Sequence, residues 1–328
     1  MATSVVRIQV ERADVLEYET DILALKFAQD LYGVDREVVQ RLERHGSNVL
    51  GSLPDVGRAL IVPSSGVVKA PEILFVGVQP LGRFSYAQIR QFARNVMREL
   101  AISRPGARYV ALTLHGRGFG LDESEAFKAE VAGLLDAFDT EEYPLSLEYV
   151  AVVENDAATA KRLEELLDEV LPGRCAIPGR SRAANRSAEA RQKLTDVGEG
   201  STAKPHVFVA MPFASEFDDR FHYGIKGAVN AAGYLCERAD LASFTGDVIM
   251  WVRDRIDKAA LVVADLSTAN PNVYLEVGYA WGKDVRTVLL APSSTDLKFD
   301  VRGQRCLVFN SIRHLEELLT KELVGLKA

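Results

Sequence analysis

Glu276 is the only charged residue in the apolar and aromatic run from 273 to 281. An unpaired carboxylate on a largely buried helix is costly, so it calls for a partner, a ligand or a water-filled cleft. Upstream, Asp265 closes an apolar stretch over 261–265, at the point where a strand would deliver a carboxylate to a ligand crevice. Between the two, Asn270 can cap a helix and Pro271 suits its first position, where the amide would lack a partner anyway. Asn272, Glu276 and Tyr279 are four and three residues apart, which aligns them as one helical stripe. A carboxyl group set this way beside a crevice is a candidate for acid–base or charge-stabilising chemistry. The plainer alternatives are a solvated helix glutamate and an aspartate that caps the turn after its strand.

Other residues offer less. Met211, Pro212 and Phe213 follow an apolar strand and could wall a base or simply pack the loop. Arg238 could hold a phosphate or pair with nearby Asp240, while His222 falls inside a helix as a structural or exposed residue. In the first half, His115-Gly116-Arg117-Gly118-Phe119-Gly120 lies between a strand and a helix. Its glycines would let backbone amides approach an anion beside a helix N-terminus, although tight turns use the same residues. Asp122 and Glu125 resemble a capping box that opens this helix. No metal-ligand cluster and no internal repeat is visible.

The elements that must position these groups alternate along the chain. Before the middle, strands are expected over 5–10, 22–27, 59–62, 73–78, 109–114 and 147–153, with helices over 36–44, 86–102, 123–138 and 157–170. After it, the pattern predicts strands over 206–210, 234–238, 261–265, 287–291 and 306–309. Helices are expected over 217–232, 247–258, 271–282 and 312–323, with Gly233 stopping the first. Strand–helix repetition with short connections implies a parallel, doubly wound sheet that binds ligands beyond the carboxyl ends of its strands. Residues 172–205 are rich in Gly, Arg, Ser and Ala without apolar periodicity, with a short helix conceivable over 187–194. The expected organisation is an α/β domain over 1–173, a basic linker over 174–204 and a second α/β domain over 205–328.

At 328 residues the chain exceeds one ordinary core, and its 48% hydrophobic and 26% charged composition is that of a globular protein. Charge is uneven: net −9 over 1–173, +5 over 174–193 and −2 over 205–328. Neither large segment has the basic excess that nucleic-acid binding requires, and the short basic run reads best as a linker with solvated charges. There is no membrane-length apolar stretch and no secretory pattern after Met1. Three widely spaced cysteines, Cys175, Cys236 and Cys306, fit neither a zinc site nor a disulfide framework. A cytoplasmic location is expected.

Two resemblances sharpen these expectations. Residues 205–310 resemble the superfamily joining TIR domains to nucleoside 2-deoxyribosyltransferases. The similar pieces are His206-Val207-Phe208-Val209-Ala210-Met211-Pro212-Phe213, the strand ending at Asp265, and Asn270-Pro271-Asn272-Val273 leading into Leu275-Glu276-Val277-Gly278-Tyr279-Ala280. The resemblance implies a flavodoxin-like parallel-sheet fold and Glu276 as the catalytic carboxylate. It also implies cleavage of NAD, as substrate rather than cofactor, or base exchange on deoxynucleosides. Either reaction leaves an oxocarbenium-like sugar that a fixed carboxylate stabilises or captures. Nicotinamide leaves without a general acid, whereas a neutral base needs protonation, for which Asp265 is the candidate donor.

The first domain resembles macro domains through Arg12-Ala13-Asp14-Val15, Asp21-Ile22-Leu23-Ala24-Leu25, Gly57 to Pro63 and the run over 112–120. That resemblance implies a mixed sheet, Asp14 as an adenine-binding aspartate, and Gly116, Gly118, Phe119 and Gly120 as a diphosphate loop for an ADP-ribose-like ligand. Residues 25–28 lack the asparagine of the ADP-ribose hydrolases, and 31–34 lack their paired-glycine loop. Sensing, nucleotide binding or assembly is therefore expected of this domain, and homo-oligomerisation of the chain. The composite expectation is an assembly-activated NAD-cleaving effector, plausible in bacterial immune defence. Its alternatives are a nucleoside transferase or nucleotide N-glycosidase, and a non-catalytic nucleotide-binding scaffold.

Overall fold

A computed structural model describes residues 5–80, 83–115, 120–176, 194–238, 248–292, 301 and 304–327. The chain is α/β throughout and forms two compact units. One comprises Met1–Arg117 and Glu123–Thr202, the other Gly118–Asp122 and Ala203–Ala328. Among the described residues no helix is long and apolar enough to cross a membrane.

The first unit holds a seven-stranded mixed sheet in the order β3-β4-β2-β5-β6-β1-β7. Its strands are β1 (Val6–Arg12), β2 (Ile22–Phe27), β3 (Ala59–Pro63), β4 (Glu72–Gly77), β5 (Tyr109–Leu112), β6 (Tyr149–Glu154) and the two-residue β7 (Cys175–Ala176). The five inner strands run parallel; β3 and β7 close the edges antiparallel. Helices α1 (Gly33–Arg44), α2 (Tyr86–Ser103), α3 (Glu123–Asp139) and α4 (Ala157–Val170) cover it. Leu23, Leu25, Ile73 and Phe75, two apart on adjacent strands, share a buried cluster with Val38, Val39 and Leu42 of α1.

The stretch expected to be a linker is partly built into this unit. Cys175–Ala176 adds the edge strand, and the Arg90 guanidinium donates to the carbonyls of Leu194, Thr195 and Val197 at 3.3, 3.1 and 2.6 Å. The buried Ser201 hydroxyl donates to Glu125 Oε1 at 2.5 Å. Most of the helix conceived over 187–194 lies outside the described residues.

The second unit is an all-parallel five-stranded sheet in the order β12-β11-β10-β8-β9. The strands are β8 (His206–Ala210), β9 (Leu235–Glu237), β10 (Leu261–Asp265), β11 (Thr287–Pro292) and β12 (Cys306–Phe309). Numbered within the unit this is 2-1-3-4-5, the flavodoxin-like doubly wound order, with its switch point between β8 and β10. Alternate side chains serve opposite faces. Val207 and Val209 pack with Phe221, Ile225 and Leu319, whereas Phe208 and Ala210 pack with Val252, Ile256, Val273 and Val277.

One expected element differs. The helix expected over 217–232 is instead a π-helix, Arg220–Lys226, running into the short α5 (Gly227–Ala231). Gly224 within it lies so close to α8 (Ile312–Lys327) that an added Cβ would sit 2.9 Å from Leu315 Cδ2. The wider turn also carries Arg220, which reaches the end of β10. The amphipathic pattern shows a helix but not this change of winding.

Candidate functional site

Helix α7 (Pro271–Gly282) starts as its sequence demands. Asn270 is extended at the cap, its Oδ1 accepts the Asn272 amide at 2.9 Å, and Pro271 fills the first turn. Val273, Val277 and Ala280 are buried against the sheet, which fixes the rotation of the helix. Asn272, Glu276 and Tyr279 then project together toward α6 (Val248–Lys258), and all three line one cavity of about 190 Å3. Ile249, Val252, Ile256 and Leu275 supply its apolar wall, and Arg253 its single basic group.

Glu276 is half-buried there and makes no hydrogen bond or ion pair among the described residues. Burial pushes its carboxyl up to about 7. Near neutral pH the group therefore exists in both protonation states, able to hold a proton or to face a developing positive charge. Tyr279 is fixed in turn: its hydroxyl donates to Asp257 Oδ2 at 3.1 Å.

Asp265 sits elsewhere. It is fully buried at the carboxyl end of β10, beside the switch point, and does not line the Glu276 cavity. Arg220 Nη1 lies 2.9 Å from Asp265 Oδ2, and the Ser267 amide donates to Oδ1 at 2.9 Å. The Ser267 hydroxyl donates to the same oxygen. A carboxylate held by a guanidinium and two further donors is an acceptor, which argues against the expected role of proton donor. Arg220, absent from the site expected from sequence, is itself held over the rings of Phe217 and Phe309, each 5.1 Å away.

Met211 and Pro212 are buried and Phe213 is partly so. Met211 belongs to the core cluster on the face of β8 away from Glu276, and none of the three lines the Glu276 cavity. Arg238 lies 4.0 Å over the Phe221 ring and 5.4 Å from that of Phe213, with Asp218 Oδ1 at 3.6 Å. The structure thus joins Arg238 to Phe213 but joins neither to Glu276. Asp240 lies outside the described residues.

In the first unit, Asp14 is exposed, and its Oδ1 accepts the Leu16 amide at 3.0 Å in a local turn. Gly116, Gly118 and Phe119 lie outside the described residues. Gly120 has a φ of +89° that explains the glycine, and an added Cβ would fall 1.9 Å from the Trp251 ring. Asp122 accepts the Cys236 amide at 2.9 Å and Glu125 Oε1 accepts from the Ser201 hydroxyl at 2.5 Å, long-range bonds that a capping spacing does not announce.

Just before the glycine-rich segment, His115 and Glu130 form a fully buried pair, Nδ1 to Oε1 at 3.4 Å. Burial holds the imidazole well below its usual range and the carboxyl well above its own, each shift favouring the neutral form. Lys26 and Asp35 form a second buried pair at 2.7 Å. Among the described residues there is no group of three or more His, Cys, Asp or Glu placed to hold a metal.

The stripe of Asn272, Glu276 and Tyr279 expected from sequence lines one cavity, whereas Arg220 and Arg253 are not among the residues singled out there. The run over 217–232 shows only amphipathic periodicity, and nothing in the sequence sets Arg253 apart from the other charges of its helix. The helix over 247–258 is expected, but not that its aliphatic side chains wall the Glu276 cavity.

No protein-family description and no curated protein matches the sequence. Solved structures with a likeness to the chain include a macrodomain of Oceanobacillus iheyensis with ADP, 15% identical over 52% of this chain and 94% of that one, TM-score 0.40. A Trypanosoma brucei macrodomain in complex with ADP-ribose is 15% identical over 49% and 68% of the two chains, TM-score 0.38. The macrodomain of Thermus aquaticus DarG is 15% identical over 45% and 99%, TM-score 0.34. The likeness spans about half of this chain, and at these scores it brings neither ligand nor activity to it.

Proposed function

We propose that the second unit cleaves an N-glycosidic bond, with NAD as substrate and Glu276 as the catalytic carboxylate. The observation that carries this reading is the unpartnered, half-buried Glu276 in a cavity walled by aliphatic side chains. The C1′–N1 bond of the nicotinamide ribose breaks, its electron pair passes to the pyridinium nitrogen, and neutral nicotinamide leaves. The resulting oxocarbenium-like sugar is positively charged, and an ionised carboxylate in a poorly solvated site stabilises it more than it would in water. Water then adds at C1′ and releases a proton. No general acid is needed, which fits an Asp265 committed to Arg220 and Ser267. In this reading Asp265 and Arg220 position the end of β10 and the start of α7 rather than touch the sugar.

The flavodoxin-like strand order agrees with the resemblance carried by the sequence pieces from His206 to Phe213 and from Asn270 to Ala280. In the same proposal the first unit binds an ADP-ribose-like nucleotide or senses a signal. Exposed Ile249, Met250 and Leu275 near the cavity give assembly an apolar surface to cover.

The test is incubation of the full chain with NAD and with a panel of deoxynucleosides, wild type beside Glu276→Ala, with products read by mass spectrometry. Nicotinamide release lost by about 100-fold or more in the variant is expected. Base exchange with NAD left intact would instead establish a nucleoside transferase.

A further inference from the structure

Arg253 and Glu276 line the same small cavity without bonding to each other. Neither makes an ion pair or hydrogen bond with any described residue. Two opposite charges facing one hollow while remaining apart leave room for a ligand that satisfies both ends. The Arg253 guanidinium is not loose, because its carbon lies 5.3 Å from the centre of the Tyr279 ring. That ring is pinned by the hydrogen bond from its hydroxyl to Asp257, and Asp257 also receives Lys283 at 3.7 Å. Asp257 is therefore occupied, although it stands one helical turn from Arg253 and is the acid that would otherwise pair with it. A guanidinium set against an aromatic face keeps its planar fork of donors free for an oxyanion.

We propose that Arg253 is the anion anchor of the Glu276 site, and that the site accepts phosphorylated glycosides in preference to neutral nucleosides. This inference rests on the reading of Glu276 as the group that meets the sugar. Arg253 would hold a phosphate oxygen at the mouth of the cavity while the sugar carbon faces Glu276. The apolar wall leaves Glu276 poorly solvated, while the exposed Arg253 meets the phosphate from the solvent side. A nucleoside offers nothing to Arg253, so the cation favours a phosphorylated glycoside over the deoxynucleosides that the carboxylate alone would accept.

The experiment uses the full chain carrying Glu276→Gln, which prevents turnover, with and without Arg253→Gln. Nicotinamide mononucleotide and nicotinamide riboside are the probes, since they share sugar and leaving group and differ only in the 5′-phosphate. Calorimetry is expected to show the mononucleotide bound at least tenfold more tightly, with that preference falling below threefold in the Arg253→Gln protein. Arg253→Lys should retain part of it, and raising salt from about 50 to about 500 mM should weaken the mononucleotide far more than the riboside. Absence of mononucleotide binding, absence of a preference, or a preference that survives Arg253→Gln would each overturn the proposal. Failure of the cleavage reading shows separately, as a wild-type chain that leaves the mononucleotide and NAD intact.

Discussion

Arg220 Nη1 lies 2.9 Å from Asp265 Oδ2, an ion pair that joins the π-helix to the end of β10 at the switch point of the parallel sheet. Asp265 is fully buried and Arg220 partly so, with one-fifth of its side chain exposed. Eleven residues after Asp265, Glu276 is only half-buried yet has no partner among the described residues. The more deeply placed carboxylate is the neutralised one, and the group left chemically free is the one beside the cavity.

Removing the cation from this pair strands a charge in the core. Arg220→Met is expected to destabilise the second unit by about 3 kcal/mol, because Asp265 would keep its desolvation penalty with only the two Ser267 hydrogen bonds to offset it. Combining Arg220→Met with Asp265→Asn should recover a large part of that loss. Denaturant unfolding of the two variants and the wild type measures both effects, and a double variant as unstable as Arg220→Met alone would contradict the account.

Gly133 offers a test in the first unit. Helix α3 packs on α2 so closely that a Cβ at this position would lie 2.0 Å from the Arg90 carbonyl oxygen. Gly133→Ala must push the helices apart, at a cost of about 1–3 kcal/mol or more. Arg90 also holds Asp136 through two hydrogen bonds and three carbonyls of the segment that follows. The variant should therefore show a lower unfolding midpoint and faster proteolytic cleavage around residue 195, both measurable on the full chain.

The elements whose residues alternate or repeat cleanly were legible. β2, α4, β8, β10, α7 and β12 have the bounds that periodicity predicts, because one face of each is uniformly apolar and its ends carry caps or turn residues. The cap at Asn270 and the stripe of Asn272, Glu276 and Tyr279 follow from local rules, and the structure brings the three into one cavity. What was not legible depends on partners distant in sequence. The π-helix brings Arg220 to Asp265 and Gly224 against Leu315, contacts that leave no mark on hydrophobic periodicity. Asp122 and Glu125 have the spacing of a capping box, and nothing in that spacing marks their bonds to Cys236 and Ser201, more than 70 residues further along. The two-residue β7 is too short for any pattern to register.

The protonation state of Glu276 sets the expected pH dependence of cleavage. A carboxylate that stabilises an oxocarbenium-like sugar acts when ionised, and burial places its transition at about 7. On NAD, kcat/KM should rise about tenfold per pH unit below that value and level off above it. A rate that falls through the same range would assign Glu276 as a proton donor to a neutral leaving base instead. Initial-rate measurements between about pH 5 and 9 at fixed ionic strength separate the two.

The raised Glu276 carboxyl also makes stability vary with pH, independently of any substrate. In the folded chain it keeps its proton until about pH 7, whereas in the unfolded chain it loses it near the ordinary value of 4.5. Between those values the folded state holds the extra proton, so raising the pH favours unfolding through this residue. Its contribution is absent below about pH 4.5 and reaches a destabilisation of about 3 kcal/mol above pH 7, since a tenfold change in proton affinity corresponds to about 1.36 kcal/mol. Glu276→Gln removes the titration but keeps the shape. The variant should therefore match the wild type to within a constant offset at about pH 4 and gain on it steadily up to about pH 7.5, in urea unfolding at matched ionic strength. A gap between the two proteins that does not change with pH would show that Glu276 is solvated in the folded state, and would remove the physical basis for its place in the site.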